Sequence, residues 1–248
     1  MAAKANYGPA KANYGIDAPN VIRNLFLAGI ASLVLAVAFP QVTIAHVTFL
    51  LNPGLFYSAV GCIAPAVLML IYAKAGKFRH RDRMLAKVSW TGAEEVLDVG
   101  SGRGLLLIGA AKHLTSGRAV GIDIWNAEDL SGNGPEALLE NISIEGVNGK
   151  TVVKSENART MSFPNASFDV VLSNLCLHNI YNAPGRAEAC REIARVLKPS
   201  GVAVISDFRH VSEYAQELGK SGLVVELCPL DWTGTFPPLR ILVARKSA

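Results

Sequence analysis

Between Asn24 and Ala73 the chain has no Asp, Glu, Lys or Arg. Fifty consecutive residues without a formal charge exclude an ordinary soluble surface there, because charged residues normally make up about a quarter of a domain. Cysteine is also scarce: around Cys62, Cys176, Cys190 and Cys228 there is no C-x-x-C pair and no histidine at ligand spacing. That argues against a zinc ribbon or a dithiol redox motif, so no metal site is expected and the thiols read as packed groups in a reducing compartment. A basic surface is missing from most of the chain. The net charge of +4 belongs to the first 85 residues, with eight basic and two acidic side chains; the rest holds 16 basic against 18 acidic. No nucleic-acid partner is therefore expected. The dinucleotide fingerprint G-x-G-x-x-G is absent too.

What fills the uncharged region is two apolar runs. The first is Leu25–Phe39, extended by Val21 and Ile22 if Arg23 reaches the interface; the second is Leu55–Ala73, which contains Pro65. Each is about the length that crosses a bilayer. Asn52-Pro53-Gly54 reads as a turn between them, and the apolar stretch Val42–Leu51 either extends the first helix or lies in the interface. Lys4, Lys11 and Arg23 precede the first run, and Lys74, Lys77, Arg79, Arg81 and Arg83 follow the second. Cations outside both ends and none between them fit a membrane hairpin with both ends in the cytoplasm. Two alternatives stay open: a buried helix pair of a soluble domain, and a signal peptide cleaved near Ala36-Val37-Ala38.

The expected organisation is a flexible tail over 1–20, the hairpin over 21–74, a basic juxtamembrane helix and linker over 75–92, and a catalytic domain over 93–248. The tail repeats itself, Ala3-Lys4-Ala5-Asn6-Tyr7-Gly8 and Ala10-Lys11-Ala12-Asn13-Tyr14-Gly15. In the catalytic domain, strands fit Glu95–Val99, Ala119–Asp123, Thr151–Lys154, Phe168–Ser173, Val202–Asp207, Leu223–Glu226 and Ile241–Ala244. Helices fit Gly104–Lys112, Pro135–Glu145 and Ala183–Leu197. Alternation of this kind predicts a parallel α/β sheet covered on both faces.

The chain is organised around Glu95-Val96-Leu97-Asp98-Val99-Gly100-Ser101-Gly102-Arg103-Gly104. An apolar strand ends in an acid, three glycines alternate, and a helix starts, which is an arrangement that lets a nucleotide-like ligand approach bare backbone. About 20 residues on, Val120-Gly121-Ile122-Asp123-Ile124-Trp125 places a carboxylate where ribose hydroxyls can donate to it. A third segment is Ser155-Glu156-Asn157-Ala158-Arg159-Thr160-Met161-Ser162-Phe163-Pro164, continuing Asn165-Ala166-Ser167-Phe168-Asp169-Val170-Val171. The fourth is Leu172-Ser173-Asn174-Leu175-Cys176-Leu177-His178-Asn179-Ile180, at a strand's carboxyl end.

Taken together, residues from about Val88 to Asp207 resemble the class I S-adenosylmethionine-dependent methyltransferases, in particular those of ubiquinone and menaquinone biosynthesis. The resemblance implies a Rossmann-like, seven-stranded, mostly parallel sheet whose last strand enters antiparallel, here preceded by two predicted transmembrane helices. It implies S-adenosyl-L-methionine as cofactor. The N–H groups of the loop Gly100, Ser101, Gly102 and Gly104, together with Asp98, would hold its methionine end. Asp123 would hold the ribose, with Ile124 or Trp125 on the adenine; Asn157, Ala158 and Asn174 complete the expected set. Asn157 stands where the family commonly has an aspartate, and Met161-Ser162 replaces the usual Leu-Pro.

Methyl transfer from a sulfonium needs alignment above all, and needs a base only when the acceptor must lose a proton. His178 is the leading base, with Asp207 and His210 behind it, and Cys176 reads as a packed thiol. The irregular loop Cys228–Pro238 is a candidate cover for the acceptor. The hairpin points to a small, lipid-soluble acceptor and a multi-pass membrane location with the catalytic domain in the cytoplasm. A membrane-anchored NAD-dependent oxidoreductase and a non-catalytic cofactor-binding scaffold remain the rivals.

Overall fold

The computed structural model describes residues 11–247. Two long helices come first, α1 (Pro19–Ala38) and α2 (Asn52–Ile71), joined by a hairpin of β1 (Gln41–Ile44) and β2 (Val47–Leu50). Asn52-Pro53-Gly54 is thus not a turn. It opens α2, because proline in the first helical turn lacks only an N–H that has no partner there anyway. The apolar stretch Val42–Leu51, expected either to lengthen the first helix or to lie in the interface, forms this hairpin, reversed at Ala45 and His46 with left-handed φ of 48° and 69°.

By length and composition, α1 and the continuous helix Asn52–Leu85 that begins with α2 are both long and apolar enough to cross a membrane. They meet along small residues. Ile22 and Gly29 of α1 are buried, as are Ala59 and Ala66 of α2, and a Cβ on Gly29 would run into Ile63. Their outer faces expose Leu27, Ile30, Val34 and Val37 on one helix and Phe56, Val60, Leu68 and Ile71 on the other. The pair thus buries Gly29, Ala59 and Ala66 and leaves an apolar exterior.

The helix does not stop at Ile71. A π-turn over Tyr72–Gly76 carries it into α3 (Lys77–Leu85). Then follow β3 (Glu95–Val99), α4 (Leu105–Ala111), β4 (Arg118–Asp123), α5 (Pro135–Ile144), β5 (Thr151–Ser155) and β6 (Phe168–Asn174). The chain continues through α6 (Ala183–Val196), β7 (Leu197–Asp207), α7 (Val211–Lys220), β8 (Leu223–Leu227) and β9 (Arg240–Lys246).

The sheet order is β5-β4-β3-β6-β7-β9-β8. Pairing is parallel from β5 to β7, and β9 enters antiparallel between β7 and β8, as expected. Parallel strands are buried on both faces, and two apolar cores follow. One lies under α6 and α7 and contains Ile193, Tyr214 and Leu218. The other lies under α3, α4 and α5 and contains Met84, Leu85, Leu107 and Leu138.

Two expected boundaries are corrected here. The basic helix expected within 75–92 is α3, and it packs as part of the domain: Met84 and Leu85 are buried in the second core, worth about 1.5–3 kcal/mol each. Residues 11–17 are not free either. Asn13 N–H donates to Asn141 Oδ1 (2.9 Å) and Asn141 Nδ2 to Asn13 O (2.9 Å), while buried Tyr14 packs edge-on against Phe78 and its hydroxyl donates to Glu145. Asp17 bridges Leu130. The second copy of the repeated hexapeptide is therefore a strap on the domain; the first copy lies outside the described residues. The sequon Asn141-Ile142-Ser143 is also spoken for, since Asn141 is 1% exposed.

Candidate cofactor and active site

The carboxyl ends of β3, β4 and β6 bring Asp98, Asp123 and Asn174 to one edge, where open α/β sheets bind ligands. They line one cavity of about 260 Å³. Of the expected residues, Asp98, Gly100, Ser101, Gly102, Asp123, Ile124, Asn157, Ala158 and Asn174 all face it. Gly104 and Trp125 do not. Gly104 starts α4 at φ 89° against Leu138, and the Trp125 indole turns away to donate to Ser155 Oγ at 2.7 Å. The exposed aliphatic Ile124 is left as the apolar surface for a base.

The glycine loop works differently from the expectation. The N–H groups of Gly100 and Ser101 both donate to Ile122 O, that of Gly102 to Asp123 Oδ2, and that of Gly104 to Ser101 O. They are spent inside the protein, so the glycines serve close approach rather than donation. The buried side-chain atoms left unpaired around the cavity include Asp98 Oδ1, Ser101 Oγ and Asn174 Oδ1, with Asp17 Oδ2, Arg103 Nε and Asn133 Oδ1 beside them. Asp98 Oδ2 accepts from Leu107 N–H at 2.8 Å, but Oδ1 has no partner. Burial pushes this carboxyl up to about 7; the Leu107 bond opposes the shift and the Asp123 charge adds to it. An ammonium group placed there would satisfy the orphaned oxygen. Asp123 accepts from Gly102 and Trp125 N–H groups at 2.8 and 2.7 Å and keeps lone pairs for two hydroxyls. Asn157 Oδ1 accepts from Arg159 N–H, which leaves one lone pair for an amino group. The site thus fits an α-amino acid joined to a nucleoside.

None of the three candidate bases lines this cavity. His178 sits in a 3-10 turn (Leu177–Asn179), with Nδ1 2.8 Å from Asp207 Oδ1 and its ring edge-on to Phe208. Asp207 is 1% exposed and also accepts from the His178 and Phe208 N–H groups. The pair fastens the segment after β6 to the end of β7. His210 caps α7, 3.4 Å from Glu213. The loop Cys228–Pro238 likewise lines a separate cavity, with His80 and Arg83.

Cys176 does reach the cavity, packed on Gly100. Burial, then the charges of Asp123, Asp207, Asp98 and Asp129, push its thiol far up. Both effects disfavour a thiolate nucleophile. In the folded protein at pH 8, Cys176 is expected to stay unlabelled by iodoacetamide. Mass spectrometry showing it modified as fast as a free thiol would contradict the packing described.

The sequence reading missed the other wall. Tyr14 and Asp17 of the strap and Lys77 of α3 line the same cavity. Lys77 is 4% exposed; its ammonium donates to Tyr14 O (2.8 Å) and Gly15 O (2.6 Å) and lies 3.9 Å from Asp17 Oδ2. The repeated motif was the only sequence signal for this contact.

Residues 97–205 match a protein family described as a methyltransferase domain. Over 120 residues the chain is 35% identical to demethylmenaquinone methyltransferase of Tropheryma whipplei (strain Twist), covering 48% of this chain and 44% of that one. The chain thus spans less than half the length of that curated relative. Among solved structures, a putative S-adenosylmethionine-dependent methyltransferase from Listeria monocytogenes superposes with TM-score 0.54 at 18% identity, over 71% of this chain and all of that one. The [4+2]-cyclase SpnF superposes with TM-score 0.59 at 15% identity, over 94% and 99%. At such identities the likeness is one of fold, and the fold is the Rossmann-like one of the class I methyltransferases.

Proposed function

We propose that the protein is a methyltransferase acting on a small, hydrophobic acceptor at a membrane crossed by α1 and α2. Its cofactor is S-adenosylmethionine. The observation that carries this reading is the cavity holding an orphaned, buried Asp98 oxygen, the hydroxyl-accepting Asp123 and the exposed Ile124. The methyltransferase-domain match over 97–205 supports it, and the demethylmenaquinone relative makes a quinol ring the first acceptor to try.

The cofactor supplies an activated methyl group with a neutral thioether as leaving group. The chain's part is alignment and exclusion of water: Asp98 and Asp123 fix the two ends of the cofactor, and the strap and α3 close the cavity. The apolar helix faces, with cations at both outer ends and none between, support a hairpin whose catalytic domain is cytoplasmic.

Full-length protein in lipid vesicles, given S-adenosylmethionine labelled in its methyl group and reduced demethylmenaquinone, is expected to transfer label into the lipid fraction. Tight binding of S-adenosylhomocysteine with no label transferred to that quinol or to a total lipid extract would favour a scaffold instead. Topology has its own test. Asn165, in the exposed sequon Asn165-Ala166-Ser167, is expected to carry no glycan when the chain is made in a eukaryotic cell; a glycan there would reverse the proposed orientation.

A further inference from the structure

A second group of unpaired polar atoms adjoins those assigned to the cofactor's ends. Asp17 Oδ2 and the Tyr72 hydroxyl are buried without a hydrogen-bond partner, as is Asn174 Oδ1. Asp17 and Asn174 line the cavity; Tyr72, 5% exposed, lies behind that lining, with its hydroxyl near the Asn174 amide and the Asp17 carboxylate. Each unpaired group costs about 1–3 kcal/mol, so three together mark a place shaped for an occupant. They come from three separate segments: the strap, the π-turn and the end of β6. Two of those segments precede the matched methyltransferase domain. π-turns inside helices recur at functional sites, and this one carries Tyr72 from the apolar helix into the domain.

The chemistry of the set narrows the occupant. Asp17 already faces Lys77 at 3.9 Å, so the site has no spare negative charge to draw an ammonium. A second anion would meet the Asp17 carboxylate. A neutral hydroxyl suits it, donating to Asp17 and accepting from Tyr72. Among hydroxyls, a phenol or enol ionises near the tyrosine value of about 10, within reach of a carboxylate base, whereas an aliphatic alcohol does not. Ile180 and Leu106 line the same cavity and give a ring apolar contact.

Resting on the methyltransferase reading, we propose that Asp17, Tyr72 and Asn174 form the acceptor subsite for a phenolic or enolic ring, with Asp17 taking the hydroxyl proton. The acceptor O–H bond breaks and its proton passes to Asp17. The methyl carbon bonds to that oxygen, or to the ring carbon conjugated with it, which then sheds its own proton to restore the ring. The S–CH3 electron pair stays on sulfur, so sulfonium and phenolate charges cancel; after oxygen methylation Asp17 returns its proton to solvent, and after carbon methylation it returns that proton to the ring oxygen while the ring-carbon proton leaves to solvent.

The test uses the full chain in detergent micelles, saturated with S-adenosylhomocysteine and titrated with 1-naphthol by fluorescence. Asp17→Asn and Tyr72→Phe are each expected to weaken 1-naphthol about tenfold or more, while calorimetry shows S-adenosylhomocysteine binding within about threefold of wild type. In wild type, 1-methoxynaphthalene, whose hydroxyl is capped and can no longer donate, is expected to bind more weakly by a similar factor and to ignore Asp17→Asn, while its ether oxygen still accepts from Tyr72. Equal 1-naphthol binding by wild type and both variants would overturn the subsite, as would equal binding of the two naphthalenes. Wild type that binds no S-adenosylhomocysteine would instead bring down the methyltransferase reading itself. Should Asp17→Asn fail to fold, having left Lys77 without its partner, Tyr72→Phe carries the same test.

Discussion

Asp98→Asn is expected to weaken cofactor binding about 10- to 100-fold and, at the same time, to make the ligand-free protein more stable at alkaline pH. Both effects come from one oxygen. Asp98 Oδ1 is buried and unpaired, and burial pushes the carboxyl from its ordinary 3.8 up to about 7. A carboxyl whose folded pKa is raised contributes stability at low pH that is lost as pH climbs through about 4 to 7. Ionising it in the fold then costs on the order of 2–4 kcal/mol. Asn removes that loss, because its amide oxygen still accepts from Leu107 N–H. The cofactor's ammonium supplies the missing partner, but only to the ionised form. Binding to wild type should therefore release close to one proton below pH 7 and tighten about tenfold per pH unit from 5.5 to 6.5. Asn abolishes both the proton release and the charge-assisted bond, worth about 1.5–3 kcal/mol. Thermal unfolding at pH 8 and calorimetry in two buffers of different ionisation enthalpy check the two halves separately. A variant that is less stable at pH 8, or that keeps the pH dependence of binding, would refute this role.

Gly100→Ala is expected to lower stability by about 2–5 kcal/mol and to remove measurable cofactor binding. Gly100 has φ 74°, and a Cβ there would overlap both Sγ and Cβ of Cys176. The left-handed backbone costs alanine about 1–2 kcal/mol. The overlap adds about 1–3 kcal/mol if the neighbours give way, and the neighbour that must move is itself a wall of the cavity. Gly100→Ala combined with Cys176→Gly relieves the overlap but not the backbone term, so it should recover only part of the melting temperature. Full recovery would mean that φ at Gly100 carries no strain for other residues.

The parts of this site that were legible in the sequence are those made by neighbours in the chain. Strand, glycine turn and helix over 95–111 follow from local pattern, and the acid at 123 from its distance to that turn. Position along the chain was a poor guide to direction. His178 lies four residues beyond Asn174, yet the short 3-10 turn swings its ring to Asp207 and out of the cavity. Asn13 meets Asn141 across 128 positions, a pairing that no local period reports. The hairpin at Ala45-His46 carries no Asn-Gly signal, so its apolar strands read as more helix. The helix Val211–Lys220 was not assigned, although Val211, Tyr214 and Leu218 recur at i, i+3 and i+7 and are all buried.

The central claim, a cofactor site for S-adenosylmethionine, is tested most directly by calorimetry. The full chain in detergent is titrated with S-adenosylmethionine, S-adenosylhomocysteine and NAD, beside Asp123→Ala. The account predicts micromolar binding of the first two, no binding of NAD, and loss of at least about 1.5 kcal/mol with Asp123→Ala, as two charged hydrogen bonds to ribose disappear. Binding of NAD alone, or S-adenosylhomocysteine binding that Asp123→Ala leaves unchanged, would contradict it.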